Sequence, residues 1–368
     1  MSRSVCFLVL CLLVLVHELG HVLAAKKFGI RVDEFGIGFP PKAFGKKYGE
    51  TEYTFNWLPI GGFVRIFGED PDEESTEGPD RERSFVHKPK WQQAIVLVAG
   101  VTFNVLFAWL LFTGGFMVGM PTAVDDENRD QVRDLRLLVT QVIPDSPAEA
   151  AGLKTSDQIT AITAADGDVM SEKTAEAVSA FISERGGEEL TISIVRDDTP
   201  QEINVTPENG VIEDEPERAA AGFVPTESGI ERFAPHIAIA KGADMTVTML
   251  WLVTKGIVTF FADAFTLQAD FTQVAGPVGI VGLVGDASAL GFAYLVTFTA
   301  FISLNLAVIN MLPFPALDGG RLLFVLIEKI KGSPINPAIA NNLNRVGMIL
   351  LVLLIVAVTY NDIIRLFS

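Results

Sequence analysis

The chain is short of cysteine, histidine and positive charge, and each shortage narrows what it can be. Its only cysteines, Cys6 and Cys11, lie in one apolar stretch. Five residues apart, they form no ligand or disulfide pattern and are read as helix packing. Lysine and arginine number 28 against 45 aspartates and glutamates, a net charge of −17. That balance argues against a nucleic-acid partner. No homopolymer tract or short repeat array interrupts the sequence. Histidine occurs four times, and two of the four, His17 and His21, share one short motif.

Apolar residues are abundant. They make up 49% of the 368 residues, with mean hydropathy +0.37, while 20% are charged. A membrane protein with a sizeable soluble insert fits both facts. Four segments approach the roughly 20 apolar residues that a bilayer core requires: about Ser4–Phe28, Ala94–Met120, Phe292–Leu312 and Val346–Leu366. Met245–Phe265 carries Lys255 and Asp263 and reads either as a fifth span or as an interfacial helix. A cleaved signal peptide is the alternative for the first segment, with Arg3 as its basic start and Val22-Leu23-Ala24 as the cut. The loop of residues 26–90 holds eleven basic residues, whereas the insert of residues 121–236 holds nine. That bias places the loops cytoplasmic and the termini and insert outside. The acidic run Glu69–Glu82 reads as a disordered surface stretch.

His17-Glu18-Leu-Gly-His21 lies inside the first apolar run, after twelve uncharged residues from Val5 to Val16. A charged group at a helix centre costs roughly 2.5–3.5 kcal/mol on insertion scales, so such groups persist only if something binds them. His-x-x-x-His puts both imidazoles on one helix face, within reach of one tetrahedral zinc. Glu18 can then reach a water at the metal as general base. A catalytic zinc has three protein ligands and an open position. The third candidate is Asp318, in Asn310-Met-Leu-Pro-Phe-Pro-Ala-Leu-Asp-Gly-Gly320, where prolines break an apolar helix and Gly319-Gly320 let the backbone turn close to a partner.

Within the insert, alternation predicts strands at Leu137–Ile143, Gln158–Ile162, Leu190–Val195 and Glu202–Val205, with a helix near Glu172–Ser183. The segment Val142–Ile159, with its Ser-Pro-Ala turn, Ala-Gly-Leu and an Asp before the next strand, resembles a protease-associated PDZ domain of about residues 135–207. Ser156 stands where that pattern has glycine. A PDZ groove takes a peptide as an added strand. Here it is expected to take a peptide or trimmed substrate end, or to act only as a steric screen.

Together, His-Glu-x-x-His in the first span, Leu-Asp-Gly late in the chain and a PDZ insert between them resemble the site-2 protease family of zinc intramembrane metalloproteases. Within it the chain is similar to the RseP-like bacterial branch with one PDZ domain. Gly276-Pro-Val-Gly279 and Gly36-Ile-Gly-Phe39 also match, while Arg321 stands where many members have histidine. The resemblance implies a polytopic α-helical membrane protein of about four transmembrane helices with a membrane-associated β-hairpin and an inserted α+β PDZ domain. Its parts would be 1–120, 121–236 and 237–368. It implies Zn2+ held by His17, His21 and Asp318, with Glu18 activating water. Asn310 would hold the substrate backbone or oxyanion. Asn104, in Gly100-x-x-x-Asn104, would lie near the active site. Tyr53–Phe67, turning at Pro59-Ile-Gly61-Gly62, is identified with the family's β-hairpin, whose edge could hold an unwound substrate.

The implied enzyme sits in the inner (plasma) membrane as a multi-pass protein, its active site toward the cytoplasm and its PDZ domain outside. Its partners are the lipid bilayer and single-span membrane proteins, such as anti-sigma factors or remnant signal peptides. A catalytically silent PDZ-bearing scaffold and a zinc transporter are the alternatives from other classes. The intact Glu18, His17, His21 and Asp318 argue against the first. The small number of spans and the lack of an inverted repeat argue against the second.

Overall fold

The computed structural model describes residues 2–70, 73–124, 128–129, 132–196, 198–212, 215–266, 276–289 and 291–367. In chain order the elements are α1 (Ser2–Lys27), β1 (Val32–Tyr48), β2 (Thr51–Ile66), a short α2 (Glu73–Glu77) and α3 (Lys90–Val118). Next come β3 (Met120–Ala123), β4 (Arg133–Val142), α4 (Pro147–Ala150), β5 (Gln158–Ala164), α5 (Ala175–Ser183), β6 (Leu190–Arg196), β7 (Thr199–Val205) and β8 (Phe223–Glu231). The chain ends with α6 (Pro235–Phe265), α7 (Pro277–Ala289), α8 (Phe292–Met311), α9 (Asp318–Lys331) and α10 (Pro337–Phe367). They divide into two compact units. One comprises Met1–Gly114, His236–Ser288 and Leu295–Ser368, the other Gly115–Pro235 and Ala289–Tyr294.

In the first unit, long helices follow from apolar runs without internal proline. Five helices among the described residues are long and apolar enough to cross a membrane: Ser4–Lys27, Lys90–Val118, Pro235–Ala264, Phe292–Met311 and Ala338–Ile364. The ambiguous stretch at 245–265 is thus the second part of a continuous helix that starts at Pro235. The last helix begins at Pro337 rather than Val346, because Asn336 accepts the Ala338 N–H at 2.9 Å and Pro337 suits a first helical turn. Its first turns are polar, so hydropathy alone misses them. Where α1 crosses α3, a side chain at Gly20 would meet the Ala99 carbonyl at 2.5 Å. Small residues let the two backbones approach, as in membrane helix pairs.

Val22 and Ala25 of α1, Val32 and Ile66 of the sheet, Val96 and Leu97 of α3 and Val325 of α9 share one buried cluster. Those four elements carry the candidate site. Cys6 is buried in a second cluster with Val9, Leu13, Val284 and Ile302, as helix packing requires. No disulfide joins the two cysteines.

The strands of this unit differ from the expected hairpin. Phe35 of β1 pairs with Val64 on one side and Tyr53 on the other, and Ile37 pairs with Gly62 and Phe55. The first half of β1 therefore lies between the two arms of Tyr53–Phe67, which do not pair as a simple hairpin about Pro59–Gly62. A strand with two free edges gains more backbone hydrogen bonds between two neighbours than beside one. Residues 69–70 and 73–82 of the acidic run are not a disordered surface stretch either; residues 71 and 72 lie outside the described residues. Asp80 and Glu74 pair with Arg31 at 2.7 and 3.1 Å. Arg31 also packs over Phe67, 3.6 Å from the ring centroid.

The second unit is a six-stranded antiparallel sheet in the order β3-β8-β4-β5-β6-β7. Its core holds Ile159, Ile162, Ile192, Ile194 and Val205 against Val178 and Ile182 of α5. Ser146 caps α4 by accepting the Glu149 N–H at 3.3 Å, while Glu149 accepts the Asp145 N–H at 2.7 Å. Asp157, almost fully buried, is gripped by Arg196 through two bonds of 2.6 Å. Ser156 takes φ 76°, the left-handed conformation that a glycine adopts without strain. The expected strands and helix appear within a few residues of their predicted ends. β3 and β8 were not expected. Pro225 and Gly229 lie inside β8, and both argue against a strand on sequence alone.

Candidate metal centre

Helix α1 presents His17 and His21 one turn apart, both buried at 8% and 5% exposure. Their Nε2 atoms lie 3.2 Å apart. Asp318 Oδ2 completes a triangle, 3.0 Å from His17 Nε2 and 3.3 Å from His21 Nε2. These three are the cluster of candidate metal ligands among the described residues. A tetrahedral site with bonds of about 2.0 Å has edges of about 3.3 Å, so the triangle has the dimensions of one zinc face.

Each candidate ligand has a local cause. His21 Nδ1 donates to the Val96 carbonyl at 2.8 Å. A carbonyl only accepts, so the proton sits on Nδ1 and the Nε2 lone pair faces the cluster. Asn104 is fully buried on α3, its Nδ2 3.4 Å from His17 Nδ1, and its Oδ1 has no hydrogen-bond partner among the described residues. With His17 Nε2 as a ligand, Nδ1 carries the proton and needs an acceptor. A half-turn of the amide supplies one and gives Oδ1 its partner. Ser303 of α8 donates to the Asn104 carbonyl at 2.8 Å and fixes this stretch of α3.

Asp318 opens α9. The turn before it is tight: Ala316 has φ 76° and donates its N–H to Asn344 Oδ1 at 3.3 Å. A side chain at Gly319 would meet the Leu312 and Met311 carbonyls at 2.3 Å, and one at Gly320 the Phe314 carbonyl at 2.2 Å. The paired glycines therefore let the Leu-Asp-Gly turn fold onto its own preceding carbonyls. Gly100 gives room in the same way, since a side chain there would meet His21 Nε2 at 2.3 Å.

Glu18 is half-buried next to the cluster. Its carboxylate accepts the Val64 backbone N–H from β2, with His21, Asp318 and Glu69 as charged neighbours. Asn310 is half-buried near the end of α8, and no hydrogen bond joins it to the cluster among the described residues. Gly61 has φ 78° and lies against Phe39, and Gly62 packs close to the Gly36 carbonyl. Sequence reasoning missed Val96, Val64 and Glu69, and it noted Arg321 only as a departure from the family's histidine without giving it a partner. Arg321 pairs with Glu69 and, at 3.2 Å, with Asp70. Val96 and Val64 act through their backbones, which no side-chain pattern reveals, and Glu69 was hidden in an acidic run.

Two buried imidazoles, a carboxylate and an adjacent glutamate have the donor set that a metallohydrolase centre requires. The model of peptidase family M50 matches residues 5–354, and the chain belongs to that family. It is 32% identical to the regulator of sigma-W protease RasP of Bacillus subtilis, over 96% of each chain. It is 31% identical to the zinc metalloprotease RasP of Geobacillus kaustophilus, again over 96% of each, and 30% identical to a putative zinc metalloprotease of Rhizobium meliloti over 98% of this chain and 95% of that one. The chain is a zinc metalloprotease of the site-2 intramembrane type.

Proposed function

We propose that His17, His21 and Asp318 hold the zinc and that Glu18 is the general base of an endopeptidase acting on transmembrane segments. The observation that carries this reading is the triangle of ligand atoms, 3.0–3.3 Å on each edge, with Glu18 beside it. The zinc that His17, His21 and Asp318 would hold would supply Lewis acidity to a scissile carbonyl and to a water. Glu18 would take a proton from the attacking water and return it to the leaving amine. The Val96 carbonyl and Asn104 hold the two imidazoles in the ligating tautomer. Asn310 donates to the substrate backbone or developing oxyanion.

A peptide bond inside a helix is hydrogen-bonded and shielded, so the substrate must unwind. The β2 segment around Gly61 and Gly62 offers it a strand edge, and the exposed Trp57, Leu58, Phe39 and Phe44 suit a sheet lying at the membrane. Four or five helices span the bilayer, with the site toward the cytoplasm. The parts are 1–120, 121–236 and 237–368. The insert is a PDZ domain on the outer side that recognises a trimmed end or screens out bulky ectodomains. The Bacillus subtilis relative is named a regulator of sigma-W protease. A similar role here makes single-span anti-sigma factors a substrate class, with remnant signal peptides a second. Purified enzyme should cut a single-span reporter stripped of most of its ectodomain. Failure across several such reporters with zinc bound would refute the reading.

A further inference from the structure

We propose that Arg321 is a positioning residue, bracing the end of β2 against the helix that carries Asp318. This deepens the proposed function and rests on it. Arg321 lies one turn after Asp318 on α9. Its guanidinium pairs with Glu69 through Nη1 and reaches Asp70 Oδ1 through Nη2 at 3.2 Å. The pair is mostly buried, with Arg321 at 29% and Glu69 at 18% side-chain exposure. Glu69 is tied back to β2, since its N–H donates to the Ile66 carbonyl at 3.1 Å. The same strand offers the Val64 N–H to Glu18. One ion pair thus links the strand edge, the general base and the ligand helix.

Arg321 is not needed to hold α9 in place. Val325 packs in the cluster shared by α1, α3 and the sheet, and Glu328 pairs with Lys90 of α3 at 2.5 Å. What the arginine adds is neutralisation of Glu69. Burial pushes that carboxyl upward, and Arg321 opposes the rise. Without the guanidinium, the buried Glu69 carboxylate would lose its ion-pair partner while Glu18 and Asp318 still repel it, and the strand end would shift. An added strand advances about 3.3 Å per residue, so a shift of that size moves the cut by one bond. The brace therefore fixes which bond faces the centre.

The test uses full-length, zinc-loaded protein in detergent: wild type, Arg321→Gln, Glu69→Gln and the conservative Arg321→Lys. Amide hydrogen exchange at residues 62–69 and the fragment masses from a single-span reporter are measured together. The two glutamine variants should keep their zinc, exchange roughly fivefold faster at 62–69 but not in β6, and spread cleavage over neighbouring bonds. Arg321→Lys should restore both readouts toward wild type. Unchanged exchange at 62–69 in Arg321→Gln overturns the brace, whatever happens to cleavage. Faster exchange with cleavage still at one bond overturns its positioning role. If no variant, wild type included, cuts any reporter while exchange responds as expected, the brace stands and the endopeptidase reading falls.

Discussion

Gly100 leaves no space for even a methyl group, since a Cβ there would lie 2.3 Å from His21 Nε2 and 2.8 Å from His17 Cε1. Gly100→Ala should therefore displace the candidate ligand nitrogens of His17 and His21 and lower zinc affinity by at least about tenfold, as bound-metal titration would register, with helicity kept. Asn104→Ala removes the partner of His17 Nδ1 and should lower metal affinity or activity by about 10–100-fold, with helicity unchanged by circular dichroism. Ser156 has the opposite sign. In the left-handed conformation at φ 76°, it should be improved by Ser156→Gly, raising the stability of the insert by about 1 kcal/mol in thermal unfolding. The candidate ligands are legible in the sequence, because two imidazoles in an apolar run call for a partner, and the structure brings them together with Asp318. Their supports were less so. The Val96 carbonyl and the Val64 N–H belong to the backbone, and the reach of Arg321 to Glu69 spans 252 residues.

Helix α7 begins on a borrowed cap. Asp362, deep in α10 and 5% exposed, accepts the Gly276 N–H at 3.1 Å and the Gly279 N–H at 2.8 Å. A carboxylate at a helix N-terminus satisfies free amides and complements the dipole. Gly276 must lack a side chain, because one would lie 2.6 Å from Asp362 Oδ2. Asp362→Ala should lower stability by about 1–3 kcal/mol in detergent unfolding, and Asp362→Asn, which keeps one acceptor, by less. Long helices were read from hydropathy because burial and lipid reward the same residues. Pairing in the sheets was not. Both arms of Tyr53–Phe67 read as strands, but nothing local says that β1 lies between them. β8 was hidden by Pro225 and Gly229, although Gly229 has a reason: a side chain there would meet Val132 at 2.0 Å.

Taken whole, the chain joins a helical unit rich in membrane-length segments to a β unit with its own core. The candidate metal centre belongs entirely to the first. His17, Asn104 and Asp318 come from α1, α3 and α9, so the site exists only once the helices have assembled. A chelator should therefore abolish activity, and zinc should restore it without refolding. The central claim is that Glu18 performs the proton transfer at a zinc site built by His17, His21 and Asp318. It is tested most directly by incubating wild type and Glu18→Gln with a tagged single-span reporter while zinc is quantified in both. Cleavage by wild type alone, with zinc retained in both, is the expected result. Cleavage by Glu18→Gln at the wild-type rate would contradict it.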